Sequence, residues 1–103
     1  MNKYRDKSNF KINKAVAVNI NGADAVVEKF GRIYISDSDA MVSFGPCNNP
    51  ADAMPIIIEN KIDLTHLVGD MVCAKHKEYW CIRKNPYRAA MEVFLMMKDT
   101  ENE

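Results

Sequence analysis

The 103-residue chain has only four glycines, four prolines and three cysteines. It also lacks any apolar run long enough to cross a bilayer. Each shortage excludes something. With no Gly/Ser linker, internal repeat or low-complexity tract, the chain is expected to form a single small globular domain over residues 1–103, with loose ends at 1–7 and 99–103. An odd cysteine count argues against a disulfide framework. The N-terminus is polar and charged where an export signal would be apolar, which points to reduced thiols and a cytoplasmic location. The sequence contains no G-x-S-x-G, P-loop, dinucleotide-binding glycine run or H-E-x-x-H. The expectation is therefore no enzyme, no catalytic residue and no cofactor. Net charge is zero, which removes any global pull toward nucleic acid or an anionic membrane.

What is present begins with Asn85 to Lys98, NPYRAAMEVFLMMK. Asn85 is a good N-cap because its side-chain oxygen can accept from first-turn N–H groups, and Pro86 occupies the position where a missing N–H costs nothing. Ala90, Val93, Phe94 and Met97 fall at helical spacing, widened by Tyr87, Met91 and Leu95. Only Arg88, Glu92 and Lys98 look clearly polar, so this is read as the core helix, with Arg88 the residue least needed for packing. Asn49-Pro50 opens a second helix in the same way, with Met54, Ile57 and Ile58 inward and Asp52 and Glu59 outward. Pro55 inside it calls for a kink, or for a start nearer Asp52.

Ser8 caps a short first helix with Ile12, Ala15 and Val16 on one face, stopped between Asn19 and Gly22; Tyr4 in the preceding arm is expected to dock on it. Ala25 to Ile35 takes strand period around a Gly31 turn, and Ser36 to Asp39 reads as a polar break. Three further strands follow at Ile62–Leu67, Met71–His76 and Tyr79–Arg83, joined by turns at Gly69-Asp70 and near Lys77. The fold class is then α+β, in the order α-β-β-α-β-β-β-α, an antiparallel meander with helices packed on it and the Asn49 and Asn85 helices sharing one sheet.

Candidate sites are weighed against plainer roles. Cys73, His76 and Cys81, with Cys47 and His66 nearby, begin a zinc-like set, but C-x-x-H has no second pair, so buried small-hydrophobe thiols are the expected role. Asp37 and Asp39 suit a solvated turn better than a cation site. Residues 1–14 hold Lys3, Arg5, Lys7, Lys11 and Lys14 against Asp6, and residues 75–88 hold Lys75, Lys77, Arg83, Lys84 and Arg88 against Glu78. With Tyr79, Trp80 and Tyr87 close by, these clusters offer Lys11, Lys14, Arg83, Lys84 and Arg88 as nucleic-acid contacts. Tyr34, Phe44, Met54 and Trp80 are the candidate contacts for a protein partner.

Three blocks, SNFKINKAVA at 8–17, PCNNPADAMPIIIENKI at 46–62 and NPYRAAMEVFLMMK at 85–98, resemble the NinX-like family of small lambdoid phage and prophage proteins. Met54 stands where the family favours Trp, Tyr87 where it favours Leu, and Asn9 and Lys11 where acidic residues are commoner, so the first helix is more basic here. The resemblance implies a phage or prophage origin, residence in bacterial host cytoplasm and an accessory role, with no assigned chemistry to carry over. The expected activity is binding of a host or phage protein, with a homodimer also considered; nucleic-acid binding is the alternative, and no membrane is involved.

Overall fold

Three side-chain caps set the three helices, and a computed structural model, which describes residues 2–101, shows each of them made. Ser8 Oγ accepts from the Lys11 N–H at 3.2 Å and starts α1, Asn9–Asn21. Gly22, at φ 86°, ends α1 by returning its N–H to Val18. Asn49 accepts from the Ala51 N–H at 3.0 Å and starts α2, Pro50–Glu59, with Pro50 in the first turn. Asn85 Oδ1 accepts from Tyr87 and Arg88 and starts α3, Pro86–Glu101, while its Nδ2 donates to the Cys47 carbonyl at 2.7 Å. One asparagine thus caps a helix and ties it to the loop before α2.

Pro55 does not end α2. The helix still starts at Pro50, and Asp52 accepts instead from the Gly45 N–H at 3.0 Å. Ala51 and Pro55 both lie on the exposed side, where water can satisfy the carbonyl that Pro55 leaves free. At the other end Lys61 adopts φ 55°, with Ile62 N–H returning to Ile57 and Lys61 N–H to Ile58. This is a Schellman closure, and its apolar pair, Ile57 with Ile62, belongs to the core.

The first sheet runs β1-β2-β3, from Val26–Lys29, Arg32–Asp37 and Ala40–Ser43. The expected hairpin around Gly31 is there, but the polar break is a correction: Ser38 and Asp39 form a two-residue turn between Asp37 and Ala40, and β3 follows it. All four β3 residues are exposed, so the strand carries no buried alternation in its sequence. Asp37 Oδ1 accepts from the N–H of Ser38, which accounts for half of the D-x-D pair.

The second sheet is the expected meander, β4-β5-β6, from Asp63–His66, Val72–His76 and Tyr79–Arg83. The full order is α-β-β-β-α-β-β-β-α, which is α+β. The helix α3 lies across β5 and β6, with α1 and α2 packed on its other sides, and α1 in turn carries the first sheet. Thus α2 rests on α3 and does not share the sheet with it as expected. The core cluster gathers Ile12 and Val16 of α1, Ala53, Ile56 and Ile57 of α2, Ala74, Cys81 and seven residues of α3 between Ala89 and Met97. No helix among the described residues is long and apolar enough to cross a membrane.

The β1-β2 turn is strained by its own sequence. Phe30 and Gly31 have φ 54° and 72°, the pairing that favours Asn-Gly, and Phe30 is 87% exposed. Its ring gains only a weak contact from Lys29, whose Nζ is 5.8 Å from the centroid. Replacing Phe30 with Asn is expected to stabilise the chain by about 1 kcal/mol by removing a left-handed aromatic residue. An increased urea midpoint with an unchanged slope would register it.

Candidate functional site

A helix surrounded on all sides has no polar face to spare, yet α3 carries Arg88 and Glu92 one turn apart. Arg88 was expected to be the residue of this helix least needed for packing; the structure buries both, leaving Arg88 8% and Glu92 0% exposed. Glu92 accepts from Arg88 Nε at 2.7 Å, from Arg83 Nε and Nη2 at 2.9 Å each, and from Asn2 Nδ2 at 2.7 Å. Burial is the largest influence on this carboxyl and opposes ionisation, but the hydrogen bonds from Arg88, Arg83 and Asn2 together outweigh it, holding the group below the usual carboxylate range. The remaining Arg88 nitrogens donate to Asn9 Oδ1 at 2.8 Å and to the carbonyls of Tyr4 at 3.0 Å and Lys7 at 2.7 Å.

These bonds correct the reading of both ends. Residues 2–7 fold back over α3 instead of forming a loose arm, and Tyr4 docks on α3 rather than on α1, donating from its hydroxyl to Asp99. Burial and the Asp99 carboxylate both push that phenol above its ordinary value. At the other end Asp99–Glu101 continue the helix, and Tyr79 donates to Thr100 Oγ1 at 2.7 Å. Met1, Asn102 and Glu103, the remainder of the ends expected to be loose, lie outside the described residues.

Among the described residues, two clefts of similar size open on the surface, besides a smaller one of about 310 Å³ between α1, the first sheet and the loop before α2. One, of about 550 Å³, lies between the end of α1, α2 and the end of α3, with an apolar floor of Phe44, Ile56 and Phe94 and a rim that includes Asn19, Glu59 and Lys98. The other, of about 560 Å³, follows β6 from Glu78 to Arg83, with Asn2, Arg5 and Met96 opposite. The far face of the β4-β5-β6 sheet is open. The register brings Trp80 beside Lys75 and Ile82 beside Cys73 on that face, and Trp80 is 58% exposed.

The predicted contacts do not form one surface. Tyr34 is half-buried beside Val27 on the outer face of the first sheet, Met54 sits on the exposed side of α2, and Trp80 is on the second sheet beyond α1 and α3. Phe44 packs against the core. Of the five predicted cationic contacts, Arg83 and Arg88 are committed to Glu92, and Lys14 pairs with Glu28. The two basic segments do meet, but at a buried ion network rather than on an open cationic face, while Lys11 and Lys84 remain exposed.

Cys73 and Cys81 face opposite sides of the sheet, since Cys73 stands opposite Ile82 and Cys81 opposite Ala74. His76 uses Nδ1 on the Lys61 carbonyl at 3.1 Å. Among the described residues, no three His, Cys, Asp or Glu side chains gather in a way that would hold a metal ion. Sequence reasoning missed Phe30 and Val68, the most exposed large apolar residues, and also Ile58, which it placed inside and which is exposed. A signal for Phe30 was its place directly before the turn glycine.

Comparison with known proteins bears on the whole of this arrangement. A family model described as Bacteriophage P22, NinX matches residues 3–98. The chain belongs to that family. The match takes in the folded-back arm from Lys3, all six strands and α3 as far as Lys98, so the ion network falls within the NinX region almost entirely, with only Asn2 outside it. No curated protein and no solved structure matches the chain.

Removing one partner from a buried ion cluster leaves the others uncompensated. In this NinX-family chain Glu92→Gln is therefore expected to cost on the order of 3 kcal/mol at neutral pH. Because the folded-state value is depressed, the stabilisation from Glu92 is complete above the ordinary carboxylate range and is lost as pH falls through the folded value. Urea unfolding at a series of pH values should show the gap between wild type and variant closing below about pH 4.

The thiols divide by burial. Burial is the main cause that pushes Cys47 and Cys81 up to about 12, whereas Cys73 is half-buried on the open face. An aromatic disulfide reagent should titrate one thiol rapidly in the native protein and all three in denaturant. Cys73→Ser should abolish the rapid phase.

Proposed function

We propose that the chain is a phage accessory protein that acts in the cytoplasm of the bacterial host by binding another protein, of host or phage, and that it is not an enzyme. The observation that carries this reading is the open face of the β4-β5-β6 sheet. The helix α3 covers one side, while the other bears half-exposed Trp80 with Ile82, Cys73, Met71 and exposed Leu67 in adjoining rows. Aromatic side chains with this exposure bring large area at low entropic cost, which suits the centre of a protein interface.

The charged groups favour the same reading over nucleic acid. The strongest local cations, Arg83 and Arg88, serve Glu92, and the open face mixes Lys75 and Lys84 with Asp63. A phosphate backbone needs several uncommitted cations in a row.

Affinity capture from phage-infected host cells, with wild type and Trp80→Lys side by side, tests the proposal. Wild type is expected to retain a specific protein that the variant loses at least tenfold, while Phe30→Asn, on the other sheet, retains it. Identical recoveries from wild type and Trp80→Lys would overturn it.

A further inference from the structure

β6 is an outer strand of its sheet, as β4 is on the other side, and the free side of β6 is open to pairing with another strand. His76 and Tyr79 flank a two-residue turn, so the pairs that exchange backbone hydrogen bonds are His76 with Tyr79, Ala74 with Cys81 and Val72 with Arg83. The other side of β5 agrees, since the Leu67 N–H donates to the Met71 carbonyl and puts the odd-numbered residues of β5 toward β4. The backbone groups of Trp80 and Ile82 therefore point away from the sheet. The Ile82 carbonyl meets Arg83 Nη1 at 2.7 Å, which leaves it a second lone pair.

The cleft beside this edge is lined by the unbroken run Glu78–Arg83. Alternate residues of a strand belong to opposite faces, so a cleft lined by all of them follows the edge itself. Neither a proline nor a bulge guards the strand.

We propose that two copies of the chain pair through β6, antiparallel about a two-fold axis at Cys81, and so join their β4-β5-β6 sheets into one of six strands. The register follows from the outward-facing residues. Only pairings that match Trp80 or Ile82 with Trp80 or Ile82 of the second copy, or shift them by two, make backbone bonds. Trp80 against the partner's Trp80 would set Glu78 against the partner's Ile82. Ile82 against the partner's Ile82 would set Trp80 against the partner's Lys84. Trp80 against the partner's Ile82 instead pairs all five residues of β6, Tyr79–Arg83, with the same strand of the second copy, and brings exposed Glu78 of the turn beside the partner's Lys84 just past the strand end, twice over by symmetry, with an aromatic and β-branched pair next to each. This register alone makes the sequence complementary to itself. Both α3 helices stay on one side of the joined sheet, and the open face doubles in width.

A one-strand seam is small, so the association is expected on the order of micromolar. Sedimentation equilibrium of the purified full chain, from about 5 to 500 μM, spans that range. A concentration-dependent dimer is expected. Glu78→Lys and Lys84→Glu should each weaken it about tenfold, because each places two like-charged pairs in the seam, and the double reversal should restore it. Ile82→Pro, which removes an outward N–H, should abolish the dimer while leaving the circular dichroism spectrum unchanged. If that variant fails to fold, the charge reversals, on exposed side chains, still decide. A chain that stays monomeric throughout, or a dimer indifferent to both single reversals, would overturn the proposal. The test needs no second protein and keeps Trp80, so its outcome is separate from that of the capture experiment.

Discussion

The buried carboxylate of Glu92 is the constraint to which most of the structure answers. An ion removed from water has to be paired and hydrogen-bonded, and Glu92 takes two guanidinium groups and an amide to meet that demand. Those donors come from three places: one turn back on α3, the end of β6 and the N-terminal arm. Their convergence fixes how the helix, the sheet and the arm sit together. Apolar packing alone would leave more than one rotation of α3 acceptable, because its stripe is nearly complete around the helix. The ion network admits one.

Arg88 extends that order outward. Its guanidinium spans from Glu92 to Asn9 at the start of α1 and to carbonyls of the arm, so the chain's two ends and first helix are stitched at one side chain. Arg suits this work because its fork presents several donors in a fixed plane, whereas a lysine would offer a single charged point. At the start of α3, Asn85 performs a comparable service with neutral groups, capping the helix and holding the Cys47 carbonyl. Away from these two fastenings the core is ordinary aliphatic and methionine packing.

With Arg83, Arg88 and Glu92 drawn into the network, the outer surface keeps the other charged side chains, of both signs, and a few large apolar ones. The open sheet face and the β6 edge meet at Trp80, so one residue stands at the junction of the two surfaces most suited to protein contact. The NinX-family match extends over both, and over the arm that walls the edge cleft from Lys3 onward.

The sequence by itself determined what is local. Ser8, Asn49-Pro50 and Asn85-Pro86 set the helix starts, Gly31 the first hairpin and Gly69-Asp70 the meander, because caps and turns act over three or four residues and need no distant partner. β3 escaped because its four residues are all exposed and show no alternation. Only tertiary structure decided the fate of Arg88 and Glu92. An i, i+4 ion pair reads identically on a solvated face and inside a core, and what separates the two is a second arginine and an arm from far along the chain. That convergence is a property of the packed layers and has no periodicity to be read.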